Sequence, residues 1–158
     1  MQIDVVAVGR LGERFYRDAV DEYARRLSRY CRLTLTEVPD LPAPASLSER
    51  MAERIRRQEC DALREKVPQG AVTVALDRRG TAMTSEEFAA FLGIHEMAGK
   101  RMAFLIGGSL GFPAEFTAHA AHCVSFGAMT YPHQLMRVIL LEQIYRGFRI
   151  IRGEPYHK

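Results

Sequence analysis

The chain has 158 residues, 47% hydrophobic and 26% charged, a balance that supports one globular core and excludes a disordered or fibrous chain. Its 22 basic residues against 19 acidic ones leave a net charge of +3, which neither demands nor excludes a polyanionic partner. No run of apolar residues is long enough to span a membrane, the start Met1-Gln2-Ile3-Asp4-Val5 carries no basic leader, and Cys31, Cys60 and Cys123 form no Cys-x-x-Cys pair. The expectation is a single cytoplasmic domain, residues 1–158, with reduced thiols and no membrane contact.

Gln2 to Val8 reads as a buried strand ending at Gly9, followed by a helix from Glu13 to Ser28 with Phe15, Ala19, Val20, Tyr23 and Leu27 at helical spacing. Leu33 to Val38 is a second strand closed by Pro39. The proline-rich stretch 39–44 is a loop, because the capping box Ser46-x-x-Glu49 opens a helix that runs to about Lys66. That helix is densely charged, and the spacing of Glu53 and Arg57 fits a solvated face. Ala71 to Leu76 is a β-rich run, Thr84-x-x-Glu87 caps a third helix to about Ala98, and Met102 to Ile106 is a fourth strand. Pro113 opens a short helix, Cys123 to Phe126 is a fifth strand, and His133 to Phe148 is the last helix.

Strands and helices alternate throughout, and the strands are continuous apolar runs. This predicts an α/β fold with a parallel sheet covered by helices on both faces. Ligands of such sheets bind beyond the carboxyl ends of the strands, where Leu76, Gly108 and Gly127 lie. The last helix carries Leu135, Met136, Val138, Ile139, Leu140, Leu141, Ile144, Tyr145 and Phe148 around more of its circumference than one apolar stripe requires. Such a helix is either central to its own chain or covered in part by a second subunit.

Gly107-Gly108 and Gly111 follow a strand, where missing side chains let backbone amides approach a ligand, although a plain tight turn explains a glycine pair equally well. Val8-Gly9-Arg10-Leu11-Gly12 has the wrong spacing for a dinucleotide fingerprint, and no Gly-Lys-Ser/Thr follows a glycine loop. His119, His122 and Cys123 suggest zinc, but no fourth ligand is near, so no metal is expected. From Thr130 to Lys158, Arg137, Arg146, Arg149, Arg152 and Lys158 outnumber Glu142 and Glu154, which suits phosphate contacts or a solvated helix.

Val6-Ala7-Val8-Gly9, Leu76-Asp77, Leu105-Ile106-Gly107-Gly108, Pro132-His133-Gln134-Leu135 with Arg137, Glu142-Gln143 with Tyr145-Arg146, and Pro155-Tyr156-His157-Lys158 occur in this order along essentially the whole chain. In these the sequence resembles the RlmH family, SPOUT-class methyltransferases that use S-adenosyl-L-methionine to methylate N3 of a pseudouridine in 23S ribosomal RNA. The resemblance implies an α/β fold with a deep C-terminal trefoil knot, a homodimer, and the ribosome or its 23S rRNA as partner. It implies cofactor contacts from Leu76, Gly108, Gly127, Ala128, Met129, Thr130, Tyr131 and Pro132, and RNA contacts from His133, Arg137 and Lys158. As bare pattern, Met129 and Tyr131 also suit a core, and His133 also suits a helix cap.

Attack by N3 requires loss of an imide proton, so His157 is the candidate base, Tyr156 a stacking or hydrogen-bonding partner, and Arg146 a stabiliser of the developing anion, unless a water takes the proton. By the same resemblance the tail completes the partner subunit's pocket. Two departures are local: Tyr131 stands where leucine is commoner, and 41–49 lacks the more usual lysines. Two other readings are a related SPOUT enzyme acting on tRNA and a non-catalytic RNA-binding α/β module.

Overall fold

In a computed structural model, which describes residues 1–44 and 46–155, the order is β1 Gln2–Val8, α1 Arg14–Leu27, β2 Arg32–Val38, α2 Glu49–Lys66, β3 Val72–Ala82, α3 Ser85–Met97, β4 Met102–Ile106, α4 Ala114–His119, β5 His122–Ser125 and α5 His133–Ile151. All five strands are parallel, in the order β2-β1-β4-β3-β5. Alternate residues of the apolar strands feed two cores. Ile3, Val5, Ala7, Met102, Phe104 and Ile106 meet Val20, Leu27, Phe88, Leu92, Leu140, Leu141, Ile144 and Phe148 from α1, α3 and α5. Val6, Val8 and Leu105 on the other face meet Cys60, Leu63, Phe112 and Phe116 from α2, α4 and the segment before it.

Helix α5 lies between α1 and α3, so its unusual apolar girth is partly answered inside the chain. Gly147 allows the close approach to α3, since a Cβ there would stand 2.7 Å from Leu92 Cδ1. The helix runs one turn beyond its expected end at Phe148 and stops at Gly153 (φ +64°), whose N–H donates to Ile150 O (3.0 Å) while Glu154 N–H donates to Arg149 O (2.9 Å).

The capping box Thr84/Glu87 forms in both directions, as the spacing predicts. The Ser46 box does not. Ser48 is the N-cap of α2 and accepts from Met51 N–H at 3.3 Å, while Glu49 already occupies the first helical position and so cannot reach back from the third. The fifth strand begins one residue earlier than expected, and His119 and His122 do not share a helix: the first ends α4 and the second opens β5. Burial pushes the thiols of Cys31 and Cys60 up to about 11 and about 12, so both stay protonated and inert.

The third strand departs most from its expected length. After Leu76 pairs with both Ile106 and Val124, residues 77–80 leave the ladder, and pairing with β5 resumes at Thr81↔Val124. Gly80 passes directly over the β5 backbone. A Cβ there would lie 2.7 Å from Cys123 C, Cys123 O and Val124 N, none of which can yield without moving the strand. Gly80→Ala is therefore expected to cost about 1–3 kcal/mol, a drop of several degrees in Tm, measured by thermal denaturation.

Candidate active site

Strands β1 and β4 are neighbours whose connections leave in opposite directions, β1 toward β2 and β4 toward β5 beyond β3. Outside their carboxyl ends is the crevice where an open α/β sheet binds ligands. Four segments meet along this edge: Gly9 after β1, Gly107-Gly108 after β4, Leu76 where β3 leaves the ladder, and Gly127 after β5. All of the small residues expected around a cofactor thus lie at one end of the sheet.

Gly108 is where it is because of a neighbour that the sequence does not reveal. A Cβ at this position would stand 2.6 Å from Glu59 Oε2 and 3.0 Å from Val8 Cγ1. Glu59, on α2, is buried, with Oε1 accepting from Leu41 N–H at 3.0 Å and Oε2 without a hydrogen-bond partner. Burial raises its pKa, and the nearby Asp40 adds to the shift. The excursion of β3 is fixed by a second carboxylate. Asp77 accepts from Arg79 Nε and NH2 (both 2.9 Å), which lowers the Asp77 pKa, and Arg79 also donates to Phe112 O at 3.2 Å, joining β3 to the segment that follows Gly108.

Residues 127–132 form an irregular segment between β5 and α5. Ser125 sets its start: the buried hydroxyl donates to Gly127 O at 3.0 Å and accepts from Gly127 N–H at 3.2 Å, and Gly127 itself needs the left-handed φ of +117°. Gly127, Ala128, Met129, Thr130 and Pro132 are exposed, with Met129 74% exposed, and Tyr131 is half-buried, so neither Met129 nor Tyr131 is a core residue. Gly127, Ala128 and Thr130 in this segment are small as well as exposed.

At the end of that segment α5 is pinned to β1. The imidazole of His133 does not cap the helix; it lies over Gly9, where a Cβ would be 2.8 Å from Nε2, and the φ of +84° also requires glycine. Burial, and then the adjacent Arg137, lower the His133 pKa, so its ring is neutral near neutral pH. Gln134 Oε1 accepts from Gly12 N–H at 2.7 Å. Arg137, expected at the RNA, is instead only 4% exposed: it donates to Gly9 O (2.5 Å), Val8 O (2.9 Å) and Glu37 Oε1 (2.7 Å). The β1 carbonyls that Arg137 satisfies would otherwise be left without a partner at the end of the ladder, so its guanidinium turns inward.

Arg146 lies farther along α5, held by Glu142 at 2.7 Å with both side chains largely buried. Tyr156, His157 and Lys158 lie outside the described residues, so the structure places Arg146 but not the rest of the expected catalytic group. His122 packs against Phe91 and His95 rather than beside His119 in a ligand set, and the described residues hold no cluster of three metal-binding side chains.

Sequence comparison and fold agree on the class. A family model described as a predicted SPOUT methyltransferase matches residues 1–157. Two solved methylase-family proteins share the fold: one from Haemophilus influenzae (TM-score 0.57, 10% identity, 99% of this chain and 70% of that one) and one from Neisseria gonorrhoeae (0.55, 13%, 91% and 81%). Proteins named ribosomal RNA large subunit methyltransferase H from Carboxydothermus hydrogenoformans and Clostridium beijerinckii are 48% and 45% identical to it, with each chain covered completely. The chain belongs to this rRNA large subunit methyltransferase H family within the SPOUT methyltransferases.

The half-satisfied Glu59 gives a stability signature. A carboxyl whose pKa is raised by folding binds its proton more tightly in the folded state, so the contribution of Glu59 to stability is fully present below the ordinary carboxylate range and is lost as pH rises from that range through the raised folded value. Glu59→Gln keeps the acceptor for Leu41 and removes the buried charge. The variant is expected to melt higher than the parent at about pH 7, with the difference shrinking as pH falls into the ordinary carboxylate range, read from thermal melts of both proteins across the acid-to-neutral range.

Proposed function

We propose that the protein transfers a methyl group from S-adenosyl-L-methionine to N3 of a pseudouridine in large-subunit rRNA, acting in the cytoplasm as a homodimer on the ribosome or its RNA. The observation that carries the proposal is the join between whole-chain kinship to rRNA methyltransferases and a carboxyl-edge crevice lined by Leu76, Gly108 and the open backbone of 127–132. This edge offers the cofactor the exposed segment that begins at Gly127, whose amide and carbonyl Ser125 holds in a fixed orientation.

When bound, the cofactor supplies an electrophilic methyl on a sulfonium, and the protein has to align the nucleophile with it and remove one proton. In this reading Leu76, Gly108 and Gly127 to Pro132 hold the cofactor, and His133 contacts the substrate with a neutral ring. Arg137 acts indirectly, by keeping His133 and the end of the loop seated on β1. Arg146, steadied by Glu142, stabilises the negative charge that grows on the imide as N3–H is lost. His157 accepts that proton and Tyr156 orients the base, both supplied by the tail, while Lys158 contacts RNA. The knot implied by family membership gathers these loops at one point.

The dimer is supported by Leu135, Met136, Val138 and Ile139 on α5, which keep part of their apolar surface exposed although α1 and α3 flank the helix. Ile139→Glu would bring an unpaired charge to that surface and is expected to give monomer or aggregate in light scattering. A monodisperse monomeric parent would remove the dimer from the proposal.

Deleting residues 156–158 is expected to leave fold and cofactor binding intact, by circular dichroism and calorimetry, while methylation of rRNA from cells lacking the protein falls by orders of magnitude. His157→Ala alone should lose about 10²-fold, with partial recovery as pH rises and the imide ionises unaided. Mass spectrometry of the modified nucleoside identifies the position. Methylation of tRNA instead, or RNA binding without cofactor binding, would select one of the other two readings.

A further inference from the structure

Strand order puts β4 between β1 and β3, so the segments leaving β1 and β3 stand on either side of Gly107-Gly108. Each carries an exposed arginine. Arg10 lies two residues beyond β1, and Arg78 lies in the excursion of β3, next to Asp77, whose hydrogen-bonded ion pair is with Arg79. The strand ends they leave are separated by two strand spacings, about 10 Å. On the β1 side, Phe15 is 61% exposed, its ring tilted against Tyr16 at 4.3 Å.

The mount beneath Phe15 is tied at several points. Arg17 donates to Leu11 O (2.9 Å) and Gly12 O (2.6 Å), Leu11 N–H donates to Glu37 (3.0 Å), and Gly12 N–H donates to Gln134 on α5 (2.7 Å). A large aromatic ring left in water on the first turn of α1, next to a loop with so many ties, is preorganised to stack on something flat, and exposed arginines on the same edge of the sheet favour a ligand whose flat groups are strung on an anionic chain. We propose that Arg10, Arg78 and Phe15 form a docking rim for single-stranded RNA, with the arginines on phosphates at either side of the cofactor turn and Phe15 stacked on an unpaired base. The inference rests on the proposed function for the identity of the crevice between them. Binding unpaired RNA here would bring a neighbouring nucleotide to the Gly108 turn.

The test uses the full chain and a fluorescein-labelled RNA hairpin with an unpaired loop, followed by anisotropy over a salt series. Arg10→Ala with Arg78→Ala should reduce the slope of log affinity against log salt by about 0.7 per arginine. Phe15→Ala should weaken binding about 5- to 100-fold, and Phe15→Trp should restore it. Cofactor affinity, Tm and oligomeric mass should match the parent for each variant. An unchanged salt slope, parental affinity in Phe15→Ala, or a changed oligomeric mass on losing Phe15 would overturn the rim, the last by showing that the ring packs against a second copy. A parent that binds the hairpin with the expected slope but leaves rRNA unmethylated overturns the proposed activity and keeps the rim. A parent that methylates rRNA with variants indistinguishable from it does the reverse.

Discussion

The guanidinium of Arg137 is the constraint on which the rest of the carboxyl edge depends. It donates to the last carbonyls of β1 and to Glu37 near the end of β2, from a helix that begins only a few residues earlier at the end of the 127–132 segment. One side chain thereby fixes the start of α5, the end of the central strand and the orientation of the irregular segment between β5 and α5. Gly9 and Gly12 serve the same joint, the first by admitting the His133 ring and the second by offering its N–H to Gln134. A buried cation held by two backbone carbonyls and a carboxylate cannot slide without leaving charge unpaired in an apolar setting.

Around this joint the sheet divides labour between its faces. The side with α1, α3 and α5 holds the larger aromatic core, with Phe88 against Phe104 and Tyr30 stacked on Phe148. Tyr30 also donates to Glu154 at 2.6 Å, which ties the segment after α5 back to the turn before β2. The opposite side, with α2 and α4, is thinner, and it is this side that sends Glu59 under the Gly108 turn. Both layers thus reach the crevice, one through a cation and the other through a carboxyl.

Much of this architecture was legible in the sequence because it rests on short-range pattern. Continuous apolar runs mark β1 and β4, and the β-rich stretch before Pro39 marks β2, each to within a residue, while Thr84 with Glu87 marks a helix start by a purely local exchange of hydrogen bonds. The clustering of Leu76, Gly108 and Gly127 at one sheet edge followed from their places at strand ends. What escaped were contacts between residues far apart in the chain. Nothing near Glu59 distinguishes it from the other acids of a charged helix, and nothing near Arg137 says that its charge points inward. Ser46 and Ser48 are equally good caps by composition, and only the position of the first helical turn selects the second. Ser125 had a readable signal, a hydroxyl two residues before a glycine at a strand end, the sort of residue that bonds its own turn.

The abutment of Glu59 on Gly108 has a consequence for how sequences of this kind can diverge. A carboxyl oxygen occupies the volume of the missing Cβ, so the two positions share one space and are not free to vary independently. A shorter residue at 59 would open room on that side for alanine at 108, whereas alanine at 108 beside an intact glutamate would push the carboxyl out of its present place and press on Val8. Across related chains a side chain at 108 should therefore be found beside a shorter or redirected residue at 59, whereas exchanges at 59 that keep or reduce its size leave glycine at 108 undisturbed.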